Sequence, residues 1–490
     1  MRGPATAAPG PFALTSEDSR RLGALLERAV REARRAGRQT LASFTCTLSG
    51  EAEPSAVACA SRRPGEPWFC IEQPWRAMTA IAGLGEAVGM RAEGEGRFAA
   101  LAERWRALAA GAHVDAAGAL RATGAESHAG PLAVGGFAFA PDGGGAPHWA
   151  GFEPASLIVP EVLLARSPAA ERAPVELTLT ACAFPDDTAE GLLARLLGRL
   201  GELRLAQLPL LDPAPWGAAV VSSAMPPEHY ESAVARAVER IRAGELEKVV
   251  LAREVQVHAP RPHDPAAIMS VLREEFPSCF VFCVGRGDAT LVAASPELLV
   301  RREGHRVSTL ALAGSTRRSA DPAVDAHLGE QLLRDPSHRE EHAIVARRIE
   351  RTLRPHAVWV AAAGEPELVK IANIQHLATP IRAQLAAPVD VLELAGLMHP
   401  TPAVGGEPFA RAQPLIPALE GLDRGWYAGP VGWTDATGDG EFCVALRCAL
   451  LRGEVARCYA GNGIVRGSEP AAELAETEIK LAALLPLLAG

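Results

Sequence analysis

Residues 280–312, FVFCVGRGDATLVAASPELLVRREGHRVSTLAL, hold four strand-like runs separated by nothing longer than a turn. FVFCVG, ATLVAAS, ELLVRRE and HRVSTLAL are rich in apolar and β-branched residues, with Gly, Asp and Pro at the breaks. No helical pattern intervenes. A Rossmann fold or a TIM barrel, which place a helix after each strand, therefore fits poorly. Working outward, LEKVVLAREVQV reads as a strand before this block, and CVALRCALL and VARCYAGNGI as strands near the end. Helices are predicted at about 323–333, 337–353 and 470–485. Strand runs with helices between and after them predict an α+β fold, its helices packed outside large sheets.

Further upstream, SEDSRRLGALLERAVREARRA opens with a Ser/Glu start signal and continues as an amphipathic helix. TLASFTCTL, PWFCIEQ, LIVPEVLLA and VELTLTACAF read as strands, GRFAALAERWRALAAGA as a helix, and PDGGGAPHWAG as turns. Met1–Ser16, rich in Ala, Pro and Gly, reads as a loose leader. DPAPWG at 212–217 marks a boundary between an N-terminal part, 17–217, and a region 218–490 where polar signals concentrate. That region opens on a helix whose stripe is Tyr230, Val234, Val238 and Ile241, with Gly244 as its stop.

The chain has 490 residues, 48% apolar and 22% charged, which is a globular composition with room for a large core. Its formal charge is −9 and its basic residues are scattered, which argues against nucleic acid as a partner. No stretch stays apolar and uncharged long enough to span a bilayer. The nine cysteines form no C-x-x-C pair and no zinc-spaced cluster, so a reducing, cytoplasmic setting is expected. GLGEAVG at 83–89 and GNGIVRG at 461–467 each miss the dinucleotide pattern by one residue and read as turns. No Walker loop, G-x-S-x-G elbow or H-E-x-x-H is present.

The chemistry-bearing candidates are charged residues in apolar company. On the helix at 337–353, Val345, Ile349 and Leu353 form an i, i+4 row, and one turn back along it stands Glu341. Its neighbour Glu340 falls on the solvated side. Glu476, Lys480 and Leu484 share a row on the last helix, with Glu473 a turn earlier. Two inward carboxylates on separate helices could hold Mg²⁺, which takes few protein ligands and keeps several waters. Spacing alone favours the simpler account of the last helix, an exposed i, i+4 ion-pair ladder. Lys248 opens a largely aliphatic strand. A lysine taken out of water gives up its proton more readily and can act as a general base, although snorkelling from a strand end is commoner. Glu297, after a Ser-Pro turn, could donate a proton or simply belong to the turn. Arg447 interrupts CVALRCALL and calls for a carboxylate, from protein or ligand.

The ordered series EKVVLARE, ASPELLV, LAGSTRR, EEHAIV, HLATPI, LMHPTPAVGG, YAGPVGW, ALRCALL, YAGNGIV and ELAETEIKL resembles the chorismate-utilising enzymes, the family that includes anthranilate synthase component I. FCIEQPWRAMTAIAGLG and GGFAFAP with HWAGFEPASLIVPEVLL extend the likeness, more loosely, into the N-terminal half. The resemblance implies one large α/β sandwich of mainly antiparallel sheets with outer helices, to which both halves contribute. It also implies a small-molecule substrate, chorismate, a Mg²⁺ cofactor and a monomer.

Within that family, enzymes adding ammonia carry Gln where this chain has Lys248, and enzymes adding water carry Lys. The resemblance thus implies an isomerase that makes isochorismate. In HPTPAVGG, Ala403 stands where lyase-type relatives carry a hydroxyl, which disfavours the alternative of a salicylate synthase. Carried over position by position, Lys248 would activate water and Glu297 would protonate the departing 4-hydroxyl. Glu341 and Glu476 would bind Mg²⁺, with Glu473 assisting through water. Gly314 and Ser315 would hold the ring carboxylate; Tyr427, Arg447 and the Gly461 backbone would grip the enolpyruvyl carboxylate. His376 would line the ring pocket and Lys480 would balance the carboxylates. His338 stands where some relatives carry an acid near the metal. The pathway served, whether menaquinone, siderophore or salicylate, is left open.

Overall fold

The computed structural model describes residues 10–48, 51–118, 128–167, 173–211 and 217–490. Residues 1–9 of the expected leader, and all but Gly217 of the expected boundary at 212–217, lie outside these. Among the described residues the strands form one thirteen-stranded and one ten-stranded sheet. All strand pairs are antiparallel except Thr40–Thr47 with His113–Gly118.

Both halves of the chain build both sheets. In the larger sheet, Gly65–Gln73 pairs with Phe280–Gly287, setting Cys70 opposite Cys283. In the smaller one, Leu132–Phe137 pairs with Pro430–Asp435, setting Gly135 opposite Gly432. Because side chains alternate along a strand, Phe282 and Val284 enter a core shared with Phe137, Val431 and Phe442 of the other sheet. Val281 and Cys283 face the opposite way, into a core shared with Leu25 and Leu26 of the helix Ser16–Ala36. Phe12, inside the segment read as a loose leader, is buried in that second core.

Three expected elements are divided in the structure. LIVPEVLLA is two strands, Ala155–Val159 in the smaller sheet and Val162–Arg166 in the larger. Pro160 between them has no N–H to give a ladder. CVALRCALL is likewise divided, into Gly440–Val444 of the smaller sheet and Cys448–Arg452 of the larger. Arg447 sits at the crossing with φ 48°, a left-handed conformation that no strand accommodates. The last long helix ends at Leu481, and a short helix, Leu485–Ala489, follows. The expected turn GNGIVRG is, over its first four residues, the end of the strand Val455–Ile464.

These crossings position the site. Ser295 ends one strand of the larger sheet and Leu298 begins one of the smaller, so Glu297 lies on a third sheet-to-sheet crossing. Lys248 begins the strand Lys248–His258, which pairs with Val455–Ile464 and sets Val250 opposite Gly463. The helix Pro336–Leu353, capped by the Asp335 side chain, buries Val345, Ile349 and Leu353. No helix among the described residues is long and apolar enough to cross a membrane, and all nine cysteines are unpaired.

Candidate active site

A cavity of about 390 Å³ opens where the crossings at Glu297 and Arg447, the start of the helix Pro336–Leu353 and the helix Pro470–Leu481 converge. Of the residues singled out from the sequence, all line it except Lys248. Lys248 lies just behind the wall, fully buried, with Nζ 2.8 Å from Glu341 Oε1 in an ion-pair contact without hydrogen-bond alignment.

Burial alone would raise the Glu341 carboxyl, but Lys248, the nearby His338 imidazole and Lys480 hold it down at about 2. Glu341 is therefore ionised. His338 Nδ1 approaches its other oxygen at 4.0 Å, and that contact raises the imidazole above its ordinary value. The strand opposite Lys248 carries glycine here. A Cβ at Gly463 would overlap Lys248 Cε and Glu341 Oε1. Gly463→Ala is expected to force this pair apart, destabilising the fold by roughly 1–3 kcal/mol and lowering turnover. A thermal melt and a rate measurement on the same preparation check it.

Glu297 has the opposite electrostatics. It is 3% exposed, and desolvation pushes its carboxyl up to about 8 against the pull of Lys248 and a hydrogen bond from Thr401. A carboxyl in that state carries a proton at neutral pH, as a general acid must.

On the helix Pro470–Leu481, Lys480 Nζ lies 2.9 Å from Glu476 Oε1 and donates to Gly461 O at 2.9 Å and Asn462 Oδ1 at 2.7 Å. Ser315 Oγ donates to the same Glu476 oxygen at 2.6 Å. Gly314, at φ 75°, forms the bulge that turns Ser315 into the cavity opposite His376. Burial pushes Glu473 up to about 7, and Asn462 Nδ2 donates to its Oε2 at 3.0 Å. The Glu476–Lys480 pair is thus an i, i+4 ladder, but one that faces the cavity.

Arg447, 7% exposed, has no carboxylate partner among the described residues. Its guanidinium donates to His376 Nε2 at 3.0 Å and Asn373 Oδ1 at 3.4 Å. Burial and the adjacent guanidinium hold His376 well below its ordinary value, so its ring is neutral and can accept that bond. The fork is left with donors for an anion. Tyr427, stacked on Tyr459 with centroids 5.2 Å apart, brings its hydroxyl close to the Gly461 Cα, where a Cβ would stand 3.0 Å from it.

No group of three or more His, Cys, Asp or Glu side chains stands at metal-holding distance among the described residues. The donor set still suits Mg²⁺, a hard cation that is satisfied by one or two carboxylates, waters and substrate oxygens. Glu341 and Glu476 line one cavity and are each neutralised by a lysine, so both have an affinity for positive charge. Three further residues of the site carry no sequence signal of their own. Thr401, Asn462 and Asn373 are short polar side chains in loops or at strand ends, and their partners become visible only in three dimensions.

A family model described as chorismate binding enzyme matches residues 27–489. The chain is 36% identical over 469 residues to the salicylate biosynthesis isochorismate synthase of Pseudomonas aeruginosa, covering 95% of this chain and 93% of that protein. It is 34% identical over 364 residues to isochorismate synthase MenF of Bacillus subtilis, covering 74% and 76%. The solved structure of MenF, the menaquinone-specific isochorismate synthase from Escherichia coli, superposes with a TM-score of 0.75 at 25% identity, covering 95% of this chain and 99% of that one.

Proposed function

The chain belongs to the chorismate-binding enzyme family, among its isochorismate synthases, and from that premise we propose that it adds water to carbon 2 of chorismate in a Mg²⁺-dependent isomerisation that stops at isochorismate. The observation that carries the reading is one cavity holding a protonated carboxyl, Glu297, and an arginine, Arg447, without an acid partner among the described residues. A dicarboxylate substrate needs the second, and loss of a hydroxyl needs the first.

Having first released its own ammonium proton to solvent, Lys248 takes a proton from water as the oxygen bonds to carbon 2. The ring double bonds shift, and the bond from carbon 4 to its hydroxyl breaks as Glu297 delivers a proton to the leaving oxygen. One water enters and one leaves, so the product is an isomer of the substrate. Arg447 and Tyr427 hold the enolpyruvyl carboxylate, while Gly314 and Ser315 position the ring carboxylate. Glu341 and Glu476 would hold Mg²⁺, with Glu473 assisting through water. Bound there, the ion would supply positive charge to the ring carboxylate and would compete with Lys248 for Glu341. Ala403 leaves no hydroxyl at its place in the wall, which favours stopping before pyruvate elimination. A cytoplasmic monomer is the form in which we expect it to work.

The test is to incubate the purified protein with chorismate, with Mg²⁺ or with a chelator, and to separate the products by chromatography. Isochorismate formed only with Mg²⁺ is expected. Salicylate with pyruvate would establish the lyase alternative instead, and unchanged chorismate would overturn the reading. The acid assignment also predicts a pH limb. Glu297 is protonated below about 8, so kcat/KM is expected to hold up to that pH and to fall above it. A pH profile of kcat/KM reports this, because that ratio follows the free enzyme.

A further inference from the structure

A protonated carboxyl has one donor and two oxygens, and only one of them can face the leaving group. We propose that Thr401 is a positioning residue that fixes which oxygen of Glu297 carries the proton. The inference rests on the reading of Glu297 as the general acid.

Thr401 is 4% exposed and lies between Pro400 and Pro402, in the segment that follows the helix Val391–Met398. Its carbonyl accepts from Val404 N at 3.1 Å and Gly405 N at 2.9 Å, which closes a tight turn and fixes the direction of the side chain. The Ala403 N–H donates to Thr401 Oγ1 at 3.3 Å. Its hydroxyl donates in turn to its other neighbour, Glu297 Oε1, 3.5 Å away. Among the described residues this is the one hydrogen bond to the Glu297 carboxyl. The distance is loose, and such contacts commonly tighten when a substrate complex forms.

An oxygen that accepts from Thr401 is the carbonyl oxygen of the acid, so the proton belongs to Oε2. Among the described residues that atom has no hydrogen-bond partner, and it is not sealed in the interior, which leaves it facing the cavity that Glu297 lines. The remainder of the residue is held from the other side. Val444 N donates to Glu297 O at 3.0 Å, Glu297 N donates to Ser295 Oγ at 3.3 Å, and Ser295 Oγ donates to Val444 O at 2.5 Å. The backbone of Glu297 is thus fixed by the sheet crossing, and its carboxyl orientation is left to Thr401. The titratable groups facing this carboxyl are Lys248, which favours its ionised form, and the Cys443 thiol on the strand Gly440–Val444, which burial keeps neutral.

The test compares Thr401→Val, which keeps the shape and loses the hydroxyl, with Thr401→Ser, which keeps the hydroxyl. In Thr401→Val we expect kcat to fall roughly tenfold or more, with KM changed less than twofold. The hydroxyl favours the ionised carboxyl, so its loss is expected to move the alkaline limb of the pH profile to higher pH. Thr401→Ser is expected to restore both. If the valine variant does not fold, Thr401→Ala is read in the same way. An unmoved pH limb with normal kcat, or a serine variant as impaired as the valine one, overturns the proposal. Glu297→Gln separates the two levels. If it is inactive while Thr401→Val is normal, the Thr401 inference alone falls; if Glu297→Gln turns over normally, the acid assignment falls and takes Thr401 with it.

Discussion

Lys248→Gln is expected to lose water addition, with kcat lower by roughly 10²–10⁴-fold, the usual contribution of a positioned base. Glutamine fits the space and keeps a polar tip, but it cannot accept a proton from water. The same substitution has a second effect, because Lys248 is the cation in contact with Glu341. Breaking a buried pair from one side costs roughly 3 kcal/mol or more, since the remaining charge loses its partner. The pH dependence follows from the depressed carboxyl. In the wild type, Glu341 contributes stability above its unfolded value of 4.5, and that contribution is lost as pH falls towards about 2. The variant lacks most of it. Melting temperatures of the two proteins are therefore expected to differ at pH 7 and to converge as pH falls through that window. Near-normal turnover in Lys248→Gln would remove the base assignment.

Arg447→Met is expected to lower kcat/KM by roughly 10²-fold or more, because truncating one side of a buried charge pair costs about 2–5 kcal/mol. Here the charge left without a partner belongs to the substrate. Stability should move the other way. The guanidinium is buried, and its protein partners are a neutral imidazole and an amide. Its desolvation is thus incompletely compensated in the free enzyme. An apolar side chain of similar length removes that penalty, so the melting temperature is expected to rise while activity falls, as is common where a binding site is built at a cost to the fold. Steady-state kinetics and a thermal scan on one preparation check both signs. A fall in melting temperature together with unchanged kcat/KM would show Arg447 to be structural.

Much of this site was legible as a set of orientations and little of it as a geometry. The i, i+4 row through Val345, Ile349 and Leu353 placed Glu341 inward, and it lines the cavity. The same arithmetic on the last helix left an ion-pair ladder and an inward cluster as rivals. In the structure they are one thing, because Glu476 and Lys480 do pair, but across cavity space instead of bulk solvent. Periodicity cannot tell those two kinds of exposure apart. CVALRCALL and LIVPEVLLA read as single strands because apolar character continues through the point where the chain changes sheets. Arg447 adopts a positive φ without glycine, so nothing in the local sequence announces the break. GNGIVRG reads as a turn on its glycine content, yet Gly463 lies within a strand, where the bare Cα leaves room for Lys248 and Glu341. The resemblance supplied the substrate, which no spacing argument reached.

The interleaving of both halves in both sheets has a consequence for how the protein is made. As the chain leaves the ribosome, Gly65–Gln73 must wait for Phe280–Gly287 before one of its edges is covered, and Leu132–Phe137 must wait for Pro430–Asp435. Such distant pairings fold slowly and leave apolar strand edges open to other molecules in the meantime. Expressed alone, residues 1–217 should therefore collect in the insoluble fraction or remain bound to chaperones, and supplying residues 218–490 from a second message should draw them into solution.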